Sequence, residues 1–199
     1  MARRVLLTRH GEALHNVMIA AGRRAGDAVV VEEGREMFDP ALTETGQAQA
    51  EALARELEGV GIAIIVTSPL RRALETTRIV AERLKVGVVV SSLHTENGIV
   101  VAGDDVAGKP CQRGRSKGAL LAEYPAWDFS GLDDVTWASE GEAWFHPSRV
   151  EDRIEAFSAL VRELRPSDAL VLVVGHSGFY KRLIGGGKMG NCELVERTL

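Results

Sequence analysis

Ile62-Ala-Ile-Ile-Val-Thr-Ser-Pro-Leu-Arg-Arg72 is the stretch that decides the fold. Residues 62–67 are apolar or β-branched with no polar alternation, the pattern of a central strand covered on both faces, as in a parallel sheet between helical layers. Ser68-Pro69 then sets a preferred N-cap residue before a preferred first helical residue. The strand is therefore expected to run straight into a helix that extends to about Lys85 and turns Leu70, Ala73, Leu74, Thr77, Val80 and Ala81 inward.

Similar units lie on either side. Residues 5–8 form a short apolar run that ends at Arg9-His10-Gly11. Residues 43–58 show helical periodicity, with Ala48, Ala52, Leu53 and Leu57 expected on the packed face. A strand is predicted over 86–90. Ser148 and Glu151 have the spacing of a capping box that opens a helix to about Arg165, and Pro166-Ser167-Asp168 makes a turn. Residues 169–174 are another apolar run, ending at Gly175-His176-Ser177-Gly178 before a short helix, and 192–198 read as a last strand at a sheet edge. Strands alternating with helices predict an α/β fold, a three-layer α/β/α arrangement around a mostly parallel, doubly wound sheet, in one domain over residues 1–199. Residues 91–147 are irregular and hold seven glycines; short helices are expected near 117–124, and 97–147 read as an insertion that acts as a lid and sets specificity.

The bulk composition narrows the function. The net charge is −4 with 24 Lys and Arg against 28 Asp and Glu, so no general attraction to nucleic acid or anionic membrane is expected, and an anion site must be built locally from a few converging cations. Arginine dominates those cations, which suits bidentate recognition of oxyanions. Cys111 and Cys192 lie far apart without a CxxC spacing, too few for a disulfide scaffold. MARRVLLTRHGE lacks the apolar core of a signal peptide, and no run approaches a membrane span. The expectation is a cytoplasmic protein.

In sheets of this kind, ligands bind beyond the carboxyl ends of the strands. Arg9-His10-Gly11-Glu12, Ser68-Pro69-Leu70-Arg71-Arg72 and Gly175-His176-Ser177-Gly178 all fall at such ends. The chain has only 5 histidines, and two of them occur beside a glycine immediately after an apolar strand. A helix opening at Ser68 would offer free N–H groups and a positive dipole end to a phosphate, and Arg9 and Arg72 would add planar forks for its oxygens. Gly-His-Ser-Gly lacks the order of a hydrolase nucleophile elbow. A zinc deaminase signature fails because Gly114 stands where the second cysteine after Pro110-Cys111 is needed, and His10 to His15 does not form HExxH. No metal site and no cofactor are expected.

LLTRHGEALHN at 6–16, TSPLRRALETT at 67–77 and VVGHSGF at 173–179 resemble, in order, the three signatures of the histidine phosphatase superfamily, which includes cofactor-dependent phosphoglycerate mutase. FDPALTETG at 38–46 resembles that family's segment leading into its first long helix. KPCQRGRS, YPAWDFS, HSGF and NCE resemble a mutase-like branch found in plants and fungi. The resemblance implies a phosphoglycerate mutase-like fold and a metal-independent phosphoryl transfer. His10 would be the nucleophile, Arg9 and Arg72 would clamp the nonbridging oxygens, and His176 would contact the same oxygens. Asn16 and Ser177 would bind substrate or phosphate, and Glu96 would be the general acid, one residue away from the family's commoner Leu-x-Glu pattern. Arg113 and Arg115, with Lys117, roughly match the region where mutases hold a carboxylate. Trp127, Trp137 and Trp144 are expected to pack, and His15, His94 and His146 to be structural or on the surface.

The first functional expectation is a phosphomonoesterase acting on a small phosphorylated metabolite through a phosphohistidine. A phosphoglycerate mutase ranks below it, since the chain is shorter than typical mutases and residues 18–38 lack their substrate-loop pattern. The third is a binding module that has kept the fold and lost catalysis. The partners expected are a small phosphorylated substrate and at most a second copy of the chain, with no nucleic acid and no membrane.

Overall fold

A computed structural model describes residues 3–37, 39–96, 115–132, 150–164 and 169–199. Most of the stretch read as a lid, together with Arg113, Ser148, Trp137, Trp144, His146 and the turn at 166–168, lies outside the described residues.

The sheet is α/β and mostly parallel. Its five strands are β1 (Arg4–Arg9), β2 (Ile62–Thr67), β3 (Gly87–Val90), β4 (Leu170–Gly175) and β5 (Leu194–Thr198). They lie in the order β3-β2-β4-β1-β5. β1, β2, β3 and β4 run parallel, and β5 pairs antiparallel with β1 at the edge. Successive side chains of β4 go to opposite faces. Leu172 and Val174 join one core with Ile65, Leu53, Leu74 and Val80, while Val171 and Val173 join another with Val5, Leu7, Phe157 and Phe179. The helices that close the first face are α3 (Glu44–Glu56), α4 (Arg71–Leu84) and the short α5 (Lys117–Glu123); the second face takes α6 (Val150–Glu163) and α7 (Ser177–Ile184). Two further helices, α1 (Leu14–Ala25) and α2 (Ala28–Glu36), pack against each other as a hairpin. Sequence reading assigned no element there. Among the described residues no helix is long and apolar enough to cross a membrane.

Three local expectations are corrected. The helix after β2 opens at Arg71, with Leu70 at its N-cap, whose own side chain makes no capping bond. Ser68 Oγ is instead committed to His176 Nε2 at 2.8 Å. The backbone N–H of Arg71 is taken by Asp39 Oδ1 at 2.7 Å, so a carboxylate from a distant loop already occupies the helix end that was expected to hold phosphate. On α3 the packed face is Gly46, Ala50, Leu53 and Ala54, followed by Leu57, whereas Ala48 and Ala52 are exposed.

Gly46 brings α3 against the turn after β1. A Cβ there would meet the Glu12 carbonyl oxygen at 2.0 Å, and one on Gly11 would meet the Gly46 oxygen at 2.5 Å. The two backbones touch, so neither position has room for a side chain. Gly46→Ala should therefore cost more than about 2 kcal/mol in denaturant unfolding. Gly118→Ala on α5, where nothing lies within 4 Å of the added atom, should be neutral or stabilising by up to roughly 1 kcal/mol. Equal effects at the two sites would contradict the close approach.

Candidate active site

Each strand ladder continues one residue past its strand and so delivers the site. The His10 N–H donates to the Gly175 carbonyl at 3.0 Å, Ser68 to Val174 at 3.2 Å and Ser91 to Thr67 at 2.9 Å. His10 and His176 thereby leave neighbouring parallel strands side by side, with ring centroids 5.2 Å apart. Both rings are buried. Nδ1 of His10 lies 2.7 Å from the Gly11 carbonyl oxygen, an acceptor that requires the proton on Nδ1. Nε2 is then left with its lone pair, and it accepts a hydrogen bond from Arg72 Nε at 3.2 Å. Arg72 comes from the first turn of α4, which Thr76 ties to the histidine turn: its hydroxyl donates to the Arg72 carbonyl at 2.7 Å and accepts from the Gly11 N–H at 3.0 Å. Arg9 is buried at the end of β1 and donates to the Met189 carbonyl at 3.2 Å and to Asn191 Oδ1 at 3.4 Å.

Burial pushes the pKa of both histidines well below the ordinary imidazole range, and the Arg72 and Arg9 charges reinforce the shift at each. The Gly11 carbonyl opposes it only in part for His10. Burial also lowers Arg72 to about 10, against the carboxylates of Glu96 and Asp39. The two imidazoles are thus neutral and the two guanidinium groups charged at neutral pH, the protonation states that a nitrogen nucleophile and an anion clamp require.

A cleft of about 540 Å3 adjoins these groups; Arg9 and Arg72 line it, whereas the buried His10 and His176 do not. The cleft brings Arg9, Arg72, Asn16, Ser177 and Glu96 together. Ser177 Oγ accepts from the Met189 N–H at 3.0 Å, and Asn16 Oδ1 from the Ala13 N–H at 3.0 Å. Arg115 does not line the cleft; it is paired with Glu123 on α5. Among the described residues no cluster of His, Cys, Asp or Glu is arranged to hold a metal ion.

His15, expected to be structural or on the surface, lines the cleft, with its ring centroid 5.9 Å from that of His10. Its Nε2 accepts from Asn16 Nδ2 at 2.9 Å, and burial, followed by Arg72 and Arg9, lowers its pKa to about 3. His94 is fully buried between β4 and Phe157, as a structural histidine should be. Lys188, Asn191 and Arg23 also line the cleft; sequence reading gave none of them a role, although Asn191 opens the NCE stretch quoted for the resemblance.

Arg153 on α6 was missed as well. Its buried guanidinium donates to the Leu93 carbonyl at 3.0 Å, the Thr95 carbonyl at 2.6 Å and Thr95 Oγ1 at 2.9 Å, while lying 5.4 Å from the Phe179 ring centroid. It fixes the turn after β3 that carries Glu96; burial lowers its pKa to about 10, and the Glu96 carboxylate opposes that shift in part. Arg153→Met keeps the bulk but strands buried carbonyl groups, so unfolding should show a loss of about 2–4 kcal/mol; an unchanged denaturation midpoint would contradict this anchoring.

The family model of the histidine phosphatase superfamily (branch 1) matches residues 5–188, and the chain belongs to that superfamily. A segment covering 29% of this chain is 40% identical, over 58 residues, to the 2,3-bisphosphoglycerate-dependent phosphoglycerate mutase of Thermoplasma acidophilum, and spans 29% of that relative's length. Among solved structures, a mycobacterial glucosyl-3-phosphoglycerate phosphatase in complex with VO3 is 26% identical, with 98% of this chain and 90% of that one covered at a TM-score of 0.57. The ecdysone phosphate phosphatase of Bombix mori, in complex with tungstate, shares the fold at 16% identity, with 98% and 88% covered and a TM-score of 0.62.

Four buried histidines make acid the weak side of stability. His10, His15, His94 and His176 are all lowered from 6.5 in the folded chain, His15 and His94 to about 3. Below pH 6.5 the unfolded chain therefore binds more protons than the folded one, and stability falls with acidification by at most about 1.4 kcal/mol per histidine per pH unit. Asp39, raised by burial to about 6, works the other way between its unfolded value and pH 6, but it is one group against four. Denaturation midpoints should be flat from pH 8 to about 7 and fall steadily from about 6.5 to 5; a midpoint rising over the lower range would refute the neutral assignments.

Proposed function

We propose that the chain is a phosphoric monoester hydrolase acting on a small phosphorylated metabolite, with His10 as nucleophile. The single observation that carries the reading is the pair of buried, neutral imidazoles 5.2 Å apart, with the buried Arg9 preceding His10 at the end of β1 and the buried Arg72 reaching His10 from the first turn of α4.

In this reading Arg9, Arg72, His176, Asn16 and Ser177 hold the phosphoryl oxygens. The His10 Nε2 lone pair attacks phosphorus in line, the bond to the leaving oxygen breaks, and Glu96 donates a proton to that oxygen. Water then attacks the phosphohistidine, giving its proton back to Glu96 as the N–P bond breaks. The proton held on Nδ1 by the Gly11 carbonyl stabilises the positive imidazole formed in the first step. Guanidinium groups in a largely buried site supply the charge stabilisation at the equatorial oxygens. The likeness to the mycobacterial phosphatase supports hydrolysis. The segment 40% identical to a phosphoglycerate mutase supports the second reading, return of the phosphoryl group to a phosphoglycerate. The spacing of the two cysteines supports a cytoplasmic location.

Wild-type protein in EDTA should release phosphate from p-nitrophenyl phosphate, and His10→Ala should lower the rate by about a thousandfold or more and abolish an acid-labile phosphoenzyme. Glu96→Gln should still form the phosphoenzyme from this activated ester and lose most turnover on alkyl phosphates. Phosphate release by His10→Ala at the wild-type rate would refute the assignment. Turnover confined to phosphoglycerate with a bisphosphoglycerate primer would select the mutase reading.

A further inference from the structure

The cleft carries more positive charge than one phosphate can use. Among the described residues six cationic side chains line it, Arg9, Arg23, Arg35, Arg72, Lys181 and Lys188, against two carboxylates, Glu12 and Glu96, in a chain whose net charge is −4. Glu12 is engaged by the Thr43 hydroxyl at 2.8 Å and Arg35 by Glu32 at 3.1 Å. Arg23, Lys181 and Lys188 have no carboxylate partner among the described residues.

The placement of these cations is ordered along α1. Asn16, Ile19, Ala20 and Arg23 all line the cleft, and their spacing puts them on one face of that helix. Asn16 stands at the histidine end, and Arg23 lies seven residues further on, a rise of about 10 Å. Between them the wall is apolar. Lys188, in the loop after α7, and Lys181, on α7, line the same cleft, and Lys188 lies within electrostatic reach of both Arg9 and Arg23.

The geometry points to a second anion subsite at the outer end of the cleft, formed by Arg23, Lys181 and Lys188, so that the substrate is a short molecule bearing an anionic group at each end. This rests on the reading that Arg9 and Arg72 hold the reacting phosphate. The charges crowd one another: Arg9 first, then burial and Arg23, push the Lys188 amine below its ordinary range. A second anion relieves that repulsion, whereas a neutral substrate tail leaves it in place. With arginine and lysine side chains reaching back along the wall, the two anionic groups stand roughly 5–10 Å apart, and a short carbon chain or a sugar fits the apolar stretch at Ile19 and Ala20.

The test uses non-hydrolysable phosphonates, so that it does not depend on turnover. Calorimetry compares butylphosphonate with butane- and pentane-1,ω-bisphosphonate, and with the matching ω-carboxyalkylphosphonates, on the full chain. Wild type should bind a doubly anionic compound about tenfold or more tightly than butylphosphonate, a preference that shrinks between about 0.05 and 0.5 M salt. Arg23→Gln with Lys188→Gln should collapse the ratio toward one; both residues are exposed, and an unchanged unfolding midpoint certifies the fold. The bisphosphonate and carboxylate arms tell a second phosphate from a carboxylate. Equal affinities in wild type, or a preference that survives the double substitution, overturn the subsite. A clear preference in a protein that hydrolyses no phosphate ester keeps the subsite and overturns the hydrolase reading.

Discussion

Arg9 pairs with Gly175 in the parallel ladder between β1 and β4, and the rest of the site inherits its geometry from that register. Side chains alternate across a sheet, so a slip of one residue would send His10 to the face opposite His176. The register is held from both sides. Val5 and Leu7 on β1 share a core with Val171 and Val173 on β4, and the buried Tyr180 hydroxyl lies within hydrogen-bond distance of the Thr8 carbonyl at 3.2 Å and the Val173 carbonyl at 2.9 Å. Gly175 permits that bridge, since a Cβ there would come within 2.7 Å of the Tyr180 oxygen. The apolar packing therefore determines where two imidazoles can meet.

Burying those groups beside the cleft sets a second constraint. Buried polar groups are costly unless paired, and here backbone groups meet much of that demand. Gly11 holds His10, Met189 receives Arg9, and Leu93 and Thr95 receive Arg153. Backbone carbonyls carry no formal charge, so they orient the side chains without quenching the positive field. A carboxylate partner in their place would have neutralised the clamp and raised the histidines. Asp39 marks the boundary of this arrangement: it caps α4 through Arg71, one residue away from the arginine that reaches His10.

The sheet and most of the site were legible because their signals are local and redundant. Continuous apolar runs marked β1, β2 and β4, and each led directly to a residue of the site. Elsewhere the signal was ambiguous or diverted. Alanines at 48, 50, 52 and 54 offer two helical faces, and only contact with the Glu12 backbone at Gly46 selects the one with Ala50 and Ala54. Ser68 reads as an N-cap, but its hydroxyl is claimed by His176, and the cap comes from Asp39, 32 residues away. The α1–α2 hairpin escaped detection because Gly22 and Gly34 look like breakers. They are the contact points of the two helices: added Cβ atoms would come within 2.9 Å of Val31 and of Ile19. His15 could have been found by its place in the first motif, one helical turn beyond the nucleophile's turn, but a lone histidine in a helix gives no sign of which way it faces.

That hairpin also explains how an acidic chain presents a basic cleft. Its buried positions are few, His15 and Gly22 on α1 and Gly34 on α2, so its remaining positions are constrained little by packing. Arg23 and Arg35 can then serve the cleft without cost to the core. The deep cations are both arginines, whose rigid forks match tetrahedral oxygens where orientation governs the chemistry. The outer set includes lysines, which act as point charges and tolerate variation in the group they meet. Acids elsewhere leave the chain negative as a whole, at −4, while the cations lining the cleft make its local field positive. The proposal of a small anionic substrate therefore rests on where the charges sit, since their sum has the opposite sign.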